Sequence, residues 1–372
     1  MKNIFLISFL LLFAGGELGR INPSPYITIY LHDFLVIVYL FLNINHFKII
    51  IKKFKKNKKF NKKIYFLLFT NIFLAIIYAI WQKSFEINSF FYIARAIAYL
   101  LFIVLLKLNF GKNKITQIFL GASFLILILG FIQYIFLPDL TSLYYLGFDD
   151  HFYRLTSTLF DPNFTGLLLV FNTLYYLHQT ALKKKNIFLI LLFLLALALT
   201  YSRASYLSFI LAGLFLFIKS QKNQKLLIGL SMFFLLLTIP FLPRKSGGEG
   251  VKLERTSSIK ARVNSAQQYL NSNQNLSIIF GQGPFQPQYQ NNKDGLISHA
   301  RFADNFLIFL YNSFGIFGAL LIIILITQEV GQRWKKKHYW QISLLIAFFT
   351  HSLFNNNLSQ AFISLIFWGF YL

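Results

Sequence analysis

The residues of this chain that are best suited to chemistry lie in one long segment, Arg244 to Asn305. Most of the remaining chain consists of apolar runs of roughly membrane-spanning length, separated by short lysine clusters. The segment ends in His299-Ala-Arg301-Phe-Ala-Asp304-Asn305, directly before another apolar run. A titratable base beside a guanidinium at a bilayer surface is suited to acid–base catalysis and anion binding. A single histidine is more often structural, so both interpretations of His299 stay open.

Arg203 is a second candidate. It lies in Leu199-Thr-Tyr-Ser-Arg203-Ala-Ser205, between two apolar runs that leave almost no room for a loop. A charge at the tip of such a helix pair lies at the membrane interface, where ionisable residues are often functional. The alternative is an arginine whose long side chain reaches lipid phosphate.

Arg154 precedes the sequence Asp161-Pro-Asn163, which leads directly into an apolar run. Aspartate before a proline is typical of a helix start, so we interpret Asp161 as an N-cap. For Arg154 two interpretations remain open: an anion-binding role, or an ion pair with Asp149 or Asp150.

Composition restricts the class of protein. Of the 372 residues, 56% are hydrophobic and 19% aromatic, and the mean hydropathy is +0.57. Such a chain needs lipid as solvent for its apolar surface, so we predict an all-α polytopic membrane protein. The net charge of +24 resides largely in lysine clusters between apolar runs, which indicates cytoplasmic loops rather than nucleic-acid binding. The chain has no cysteine, and its seven histidines lack metal-ligand spacing, so we predict no metal site.

The apolar runs predict about twelve transmembrane helices in one membrane domain over residues 1–372. The segment Lys48 to Lys63 contains nine lysines and no acid, and it fixes the cytoplasmic side. With that anchor, the lysine clusters fall inside and residues 244–301 form one large extracytoplasmic loop. The first run resembles a signal peptide, but no cleavage pattern follows it, which favours an uncleaved helix. The predicted helices cover residues 1–16, 26–46, 64–81, 89–106, 115–137, 163–181, 186–201, 204–218, 226–242, 302–327, 339–354 and 357–372.

In this predicted topology the lysine clusters lie on the cytoplasmic side, and nearly all arginines lie on or near the outer side. Of the twelve acids only Glu329 falls inside, and of the arginines only Arg333 does. Arginine is the residue suited to bidentate phosphate or carboxylate contacts, so the outer face is the predicted site. Within the large loop, apolar residues at helical spacing from Ile259 to Leu270 predict an amphipathic helix on the outer surface, with Arg262 on one flank. Gly281-Gln-Gly283 predicts a turn.

Taken in order, these motifs resemble the O-antigen ligase and polymerase superfamily of bacterial polysaccharide assembly. The resemblance rests on Arg154…Asp161-Pro-Asn163, the Arg203 motif, Arg262, and Asp304-Asn-Phe-Leu-Ile-Phe-Leu-Tyr-Asn-Ser-Phe-Gly315, and it covers about residues 115–330. It implies a GT-C-like, metal-independent glycosyltransferase of the cytoplasmic membrane. Such an enzyme needs no cofactor and transfers glycans from undecaprenyl diphosphate to a glycan or lipid acceptor outside that membrane.

Carried over by position, Arg203 and Arg262 would bind the donor diphosphate, with Arg154 and Arg301 as further candidates. Ligases place a histidine directly before the final asparagine as a candidate base, whereas this chain has Asp304 there. Either His299 or Asp304 is therefore the predicted base. The difference favours a polymerase over a ligase that transfers to lipid A core. A lipid-linked oligosaccharide flippase would be expected to show repeated halves, which the sequence lacks. A non-catalytic scaffold is the third possibility.

Overall fold

The computed structural model describes residues 2–24, 27–47, 62–82, 85–86, 88–146, 148–179, 184–243, 249–272, 276–286 and 302–372. Within these ranges the chain is mostly helical, with one two-stranded sheet. The elements are α1 Lys2–Ala14, β1 Arg20–Ser24, β2 Ile27–Tyr30, α2 Leu31–Leu42, α3 Lys62–Trp81, α4 Asn88–Phe110, α5 Lys112–Phe136, α6 Pro162–His178, α7 Lys184–Leu199, α8 Arg203–Lys219, α9 Lys222–Thr238, α10 Ser257–Ser272, α11 Ser277–Phe280, α12 Phe306–Lys335, α13 Tyr339–Ser352 and α14 Ala361–Tyr371.

Several helices have the length and composition of membrane spans. Among the described residues, five helices are long and apolar enough to cross a bilayer: α3, α4, α5, α9 and α12. Large apolar side chains on them remain exposed, such as Phe69 at 69% and Phe233 at 63%, as expected of surfaces that face lipid. The chain is therefore a multi-pass membrane protein. The number of twelve crossings stays a prediction, and most of the predicted anchor at Lys48 to Lys63 lies outside the described residues.

Aromatic side chains connect the helices of the main core. Phe13 of α1 is fully buried, and its ring lies 5.6 Å from that of Phe119 in α5 and 5.4 Å from that of Phe362 in α14. A second, smaller core joins Tyr269 of α10 to Phe306 and Phe309 of α12. The predicted amphipathic helix is thus present as α10 and is attached to the bundle through Tyr269.

The segment after α1 differs from the prediction. We expected a loop over 19–25 and a helix over 26–46, but β1 and β2 form an antiparallel hairpin in which Arg20 pairs with Tyr30. The helix that follows begins only at Leu31 and ends at Leu42. Its start is fixed by Asp33, whose carboxylate accepts a hydrogen bond from the Tyr30 N–H at 2.9 Å. β-Branched Ile27, Thr28 and Ile29 favour a strand over the predicted helical turn.

Helix α12 is interrupted at Gly315, where the predicted helix over 302–327 shows no break. Gly315 has φ 64° and ψ −175°, and a Cβ there would collide with the main chain of Ile279. Only glycine fits this close approach. Beside the break, the N–H groups of Gln282 and Gly283 donate to the main-chain oxygens of Asn312 and Ser313, at 2.8 and 3.2 Å. These bonds hold Gly281-Gln-Gly283, in which both glycines have positive φ, against α12.

Candidate active site

A polar cavity of about 490 Å³ opens at one end of the helix bundle. We call it the arginine cavity. Its walls come from the segment after α1, the β hairpin, α4, the segment between α5 and α6, the start of α6, α10, and the connections before α12 and after α13. Among the described residues that line it, three are arginines and four are acids. The lining residues are Glu17, Arg20, Thr28, Tyr30, Tyr92, Arg95, Tyr144, Phe148, Asp149, Leu159, Phe160, Asp161, Asn163, Phe164, Arg262, Phe302, Asp304, Asn355, Asn356, Ser359 and Gln360.

Two predicted site residues, Arg262 and Asp304, meet in this cavity. The Nε of Arg262 lies 3.9 Å from Oδ2 of Asp304, and its Nη2 donates to Oδ1 of Asn355 at 3.2 Å. Their side chains remain 31% and 44% exposed, so both groups are open to a bound molecule. At 3.9 Å this ion pair is long. An incoming anion can therefore accept hydrogen bonds from the Arg262 guanidinium without breaking a short bond to Asp304.

The surroundings of Asp304 favour its neutral form relative to free aspartate. Enclosure by the protein raises the pKa of its carboxyl above the usual range, Arg262 opposes the shift, and the negative charge of Asp149 adds to it. A carboxylate with a raised pKa is a stronger base than an ordinary aspartate, which suits it to accept a proton from a hydroxyl near neutral pH.

A second set of charged residues also lines the cavity. Arg95 of α4 lies 3.1 Å from Oδ2 of Asp33 and donates to the main-chain oxygen of Thr28 on β2. Glu17 lies 3.9 Å from Arg20 and accepts a hydrogen bond from the Tyr30 hydroxyl at 3.0 Å. Burial raises the pKa of Glu17 to about 7, although Arg20 opposes the shift. The sequence placed Arg20 and Arg95 on the outer side but did not identify this set.

The prediction for Asp161 is confirmed. Its Oδ1 accepts from the N–H groups of Asn163 and Phe164, at 2.6 and 3.3 Å, and caps α6. Asp161 also lines the cavity. Enclosure by the protein raises its pKa to about 6, and the charge of Asp149 contributes.

Asn163 joins three helices beneath the cavity. Its Oδ1 accepts from the Ser202 hydroxyl at 2.9 Å, at the start of α8. Its main-chain oxygen lies 3.1 Å from Nε2 of His351 in α13, and Nδ1 of that histidine lies 2.8 Å from Oδ1 of Asn357. These bonds fix the inner end of the cavity relative to the Arg203 motif. The sequence signal for this junction is the run Asn355-Asn-Asn357 between two apolar helices, and these asparagines are not among the predicted site residues.

Arg203 lies next to the cavity and does not line it. Its Nη1 donates to the main-chain oxygens of Leu253 and Arg255, each at 3.0 Å. These bonds hold the segment that leads into α10. Arg203 and Arg262 are close enough for their charges to repel each other. A doubly charged anion between them would relieve that repulsion.

Arg154 is buried, at 5% exposure, and is not among the residues that line the cavity. Its Nε donates to the main-chain oxygen of Thr200 at 3.0 Å, and its Nη2 is buried without a partner. Within the described part of the chain, no ion pair joins it to Asp149 or Asp150, although the sequence left that open. Arg154 thus supports the helix-pair tip that carries Arg203.

Two predicted residues, His299 and Arg301, lie outside the described residues. In the part that the structure describes, no three histidine or acidic side chains are grouped so that they could hold a metal ion. The positive charge of the described site comes from guanidinium groups.

The chain resembles one known family. A family model described as O-antigen ligase matches residues 188–323, somewhat more than a third of the chain. The matched region contains Arg203, Arg262, Asp304 and the Gly281-Gln-Gly283 turn. A search of curated proteins finds none that matches.

Proposed function

From the match over residues 188–323 we infer that this multi-pass membrane protein is a member of the O-antigen ligase and polymerase superfamily. We propose that it joins undecaprenyl-diphosphate-linked glycan units on the outer face of a bacterial cytoplasmic membrane, as a polymerase. The observation that carries this proposal is the pairing of Arg262 with Asp304 in an open cavity beside Arg203. It combines an anion-binding group with a base.

The reaction is a displacement at the anomeric carbon of the donor sugar. An acceptor hydroxyl attacks that carbon, its proton passes to the base, and the bond between the carbon and the diphosphate oxygen breaks. The leaving diphosphate gains negative charge in the transition state, so nearby guanidinium groups lower the barrier. In this proposal Arg262 and Arg203 supply that stabilisation, and attack from the side opposite the diphosphate inverts the anomeric centre.

Asp304 is the base in this proposal. It lies in the cavity, it is partly exposed, and its raised pKa suits it to accept a proton. His299 remains the alternative from the sequence.

The cavity size is consistent with this substrate. Its volume of about 490 Å³ is within the range of ordinary ligand pockets. A cavity of this size can hold part of a glycan while the lipid tail of the donor remains in the bilayer. The cavity lies at the end of the bundle away from the lysine clusters, and the positive-inside rule puts that end outside.

Ligase activity is the second candidate, because the matching family model is described as O-antigen ligase. A ligase would use the same donor site and a different acceptor, such as lipid A core. Arg262 would keep its role in either reaction.

The test uses purified full-length protein with an undecaprenyl-diphosphate-linked repeat unit as the only substrate, and products are separated by gel and mass spectrometry. We expect a ladder of polymers, which Arg262→Ala abolishes and the exposed same-helix control Lys260→Ala retains. Transfer that occurs only after lipid A core is added would identify a ligase. A ladder of wild-type yield from Arg262→Ala would contradict the proposed site.

A further inference from the structure

A second cavity, of about 700 Å³, lies at the other end of the helix bundle. We call it the lysine cavity. Helix α6 contributes Asn163 to the arginine cavity and His178 to this one. The 17 residues of α6 separate the two cavities by about 25 Å, which is close to the thickness of the bilayer core. The lining residues are Lys112, Asn113, Thr116, Gln117, Tyr175, His178, Gln179, Lys337, His338, Tyr339, Trp340, Gln341 and Phe370.

The lining of the lysine cavity carries only basic titratable groups besides tyrosines. Lys112 and Lys337 supply two positive charges, and His178 and His338 add two imidazoles. None of the described residues that line it is acidic. Lys112 donates to the main-chain oxygen of Leu372 at 3.3 Å, and Glu329, which does not line the cavity, is paired with Arg333 at 2.8 Å. A cavity lined by two lysines and by no described acidic residue attracts a negatively charged ligand.

Two helices begin at this cavity without a side-chain cap. Helix α5 begins at Lys112 after Gly111, which has no side chain, and α13 begins at Tyr339 after His338, whose side chain makes no capping hydrogen bond. The first N–H groups of a helix lack partners within the helix and carry partial positive charge. Oxygen atoms of a bound anion would satisfy them, as phosphates do at other helix N-termini.

Aromatic rings form the remaining wall. The rings of His178 and Trp340 are stacked at 5.6 Å, and Tyr175 packs edge-on against Trp340 at 5.7 Å. Tryptophan and tyrosine are enriched where a membrane protein meets the headgroup region. Rings and lysines at the same helix ends indicate that the cavity lies at the depth of lipid phosphates.

We propose that the lysine cavity binds the phosphate group of an anionic ligand through Lys112, Lys337 and the N–H groups of the first turn of α13. A phospholipid headgroup and a soluble phosphate share this chemistry. The lysine side of the bundle is the predicted cytoplasmic face, where basic pockets between helices bind anionic headgroups. This site is separate from the transfer site and does not depend on the proposed function.

The test measures binding to full-length protein in nanodiscs by native mass spectrometry and thermal shift. The probes are phosphatidylglycerol, zwitterionic phosphatidylcholine as the neutral comparison, and inorganic phosphate. Lys337→Gln is the main variant, because Lys337 is exposed in the connection before α13 and its loss should not affect folding. The matched control is Lys336→Gln, an exposed neighbour that does not line the cavity.

We expect retained phosphatidylglycerol, and affinity about fivefold lower in Lys337→Gln than in Lys336→Gln, since one lysine at an anionic surface contributes about 1 kcal/mol. Binding of inorganic phosphate with the same loss in Lys337→Gln would support the proposal with a soluble ligand. Equal binding in the two variants, or equal retention of phosphatidylcholine, would overturn it.

Discussion

The two cavities at opposite ends of α6 differ in how their charges are arranged. In the arginine cavity, guanidinium groups lie near carboxylates, as Arg262 does near Asp304 and Arg95 near Asp33. In the lysine cavity, none of the described lining residues is an acid. Paired charges can hold an anion and accept a proton in the same site, because Arg262 offers a guanidinium while enclosure by the protein raises the pKa of Asp304 beside it. Ammonium groups without nearby acids can only attract an anion. The comparison indicates that net charge alone says little about function.

The largest expected effect on glycan transfer distinguishes the arginine cavity from the lysine cavity. Arg262→Lys should lower glycan transfer by about 100-fold or more, since a point ammonium cannot reproduce a bidentate contact to the leaving diphosphate. Lys337→Gln should retain transfer, because it lies at the other end of the bundle. Initial rates with the lipid-linked donor measure both. Equal losses in the two variants would contradict the assignment of transfer to the arginine cavity.

A smaller effect is expected at Arg203. Arg203→Lys keeps the charge but replaces the guanidinium by a single ammonium nitrogen, which cannot bond the main-chain oxygens of Leu253 and Arg255 and also make a bidentate contact to a diphosphate. We expect transfer to fall at least about tenfold, through loss of diphosphate contact and of loop position. Limited proteolysis of the loop distinguishes the two causes. Near-normal polymer length in Arg203→Lys would remove Arg203 from the diphosphate site.

The smallest effect concerns stability. Asp161→Ala removes the cap of α6, so the free energy of unfolding should fall by about 1 kcal/mol. The shift in the unfolding midpoint in detergent measures this change. Asp150→Ala, an exposed acid in the same segment, is the control. An Asp161→Ala variant as stable as that control would show that the cap does not stabilise α6.

The sequence predicted the parts of the fold that depend on local pattern. Asp161 before a proline indicated a cap, apolar spacing from Ile259 to Leu270 indicated α10, and both are present. The break at Gly315 was not predictable, because it exists only where the main chain of Ile279 packs against it. A helical pattern in sequence contains no information about such a distant contact.

The candidate site was predictable only in part. The concentration of arginines on the predicted outer side indicated that face as the site. The resemblance to the O-antigen ligase and polymerase superfamily selected Arg262 and Asp304, which the cavity brings together. The wall that includes Glu17 and Arg95 comes from elements far apart in the chain, so no spacing rule links them. For Arg154 the sequence left open an anion-binding role or an ion pair with Asp149 or Asp150, and it did not indicate that the side chain is buried under the helix-pair tip.

The pH dependence of transfer tests the central claim most directly. If Asp304 is the base, its protonation stops the reaction, so the transfer rate should rise with pH as this carboxyl loses its proton. The apparent pKa of that rising limb of the pH–rate profile should lie above the usual aspartate value of 3.8. Because Asp149 raises that pKa, Asp149→Asn should move the limb to lower pH, while Asp150→Asn leaves it in place. Asp304→Asn should lower the rate by about 100-fold or more, and His299→Ala should not. A limb that stays unmoved in Asp149→Asn and disappears in His299→Ala would make His299 the base and contradict the account.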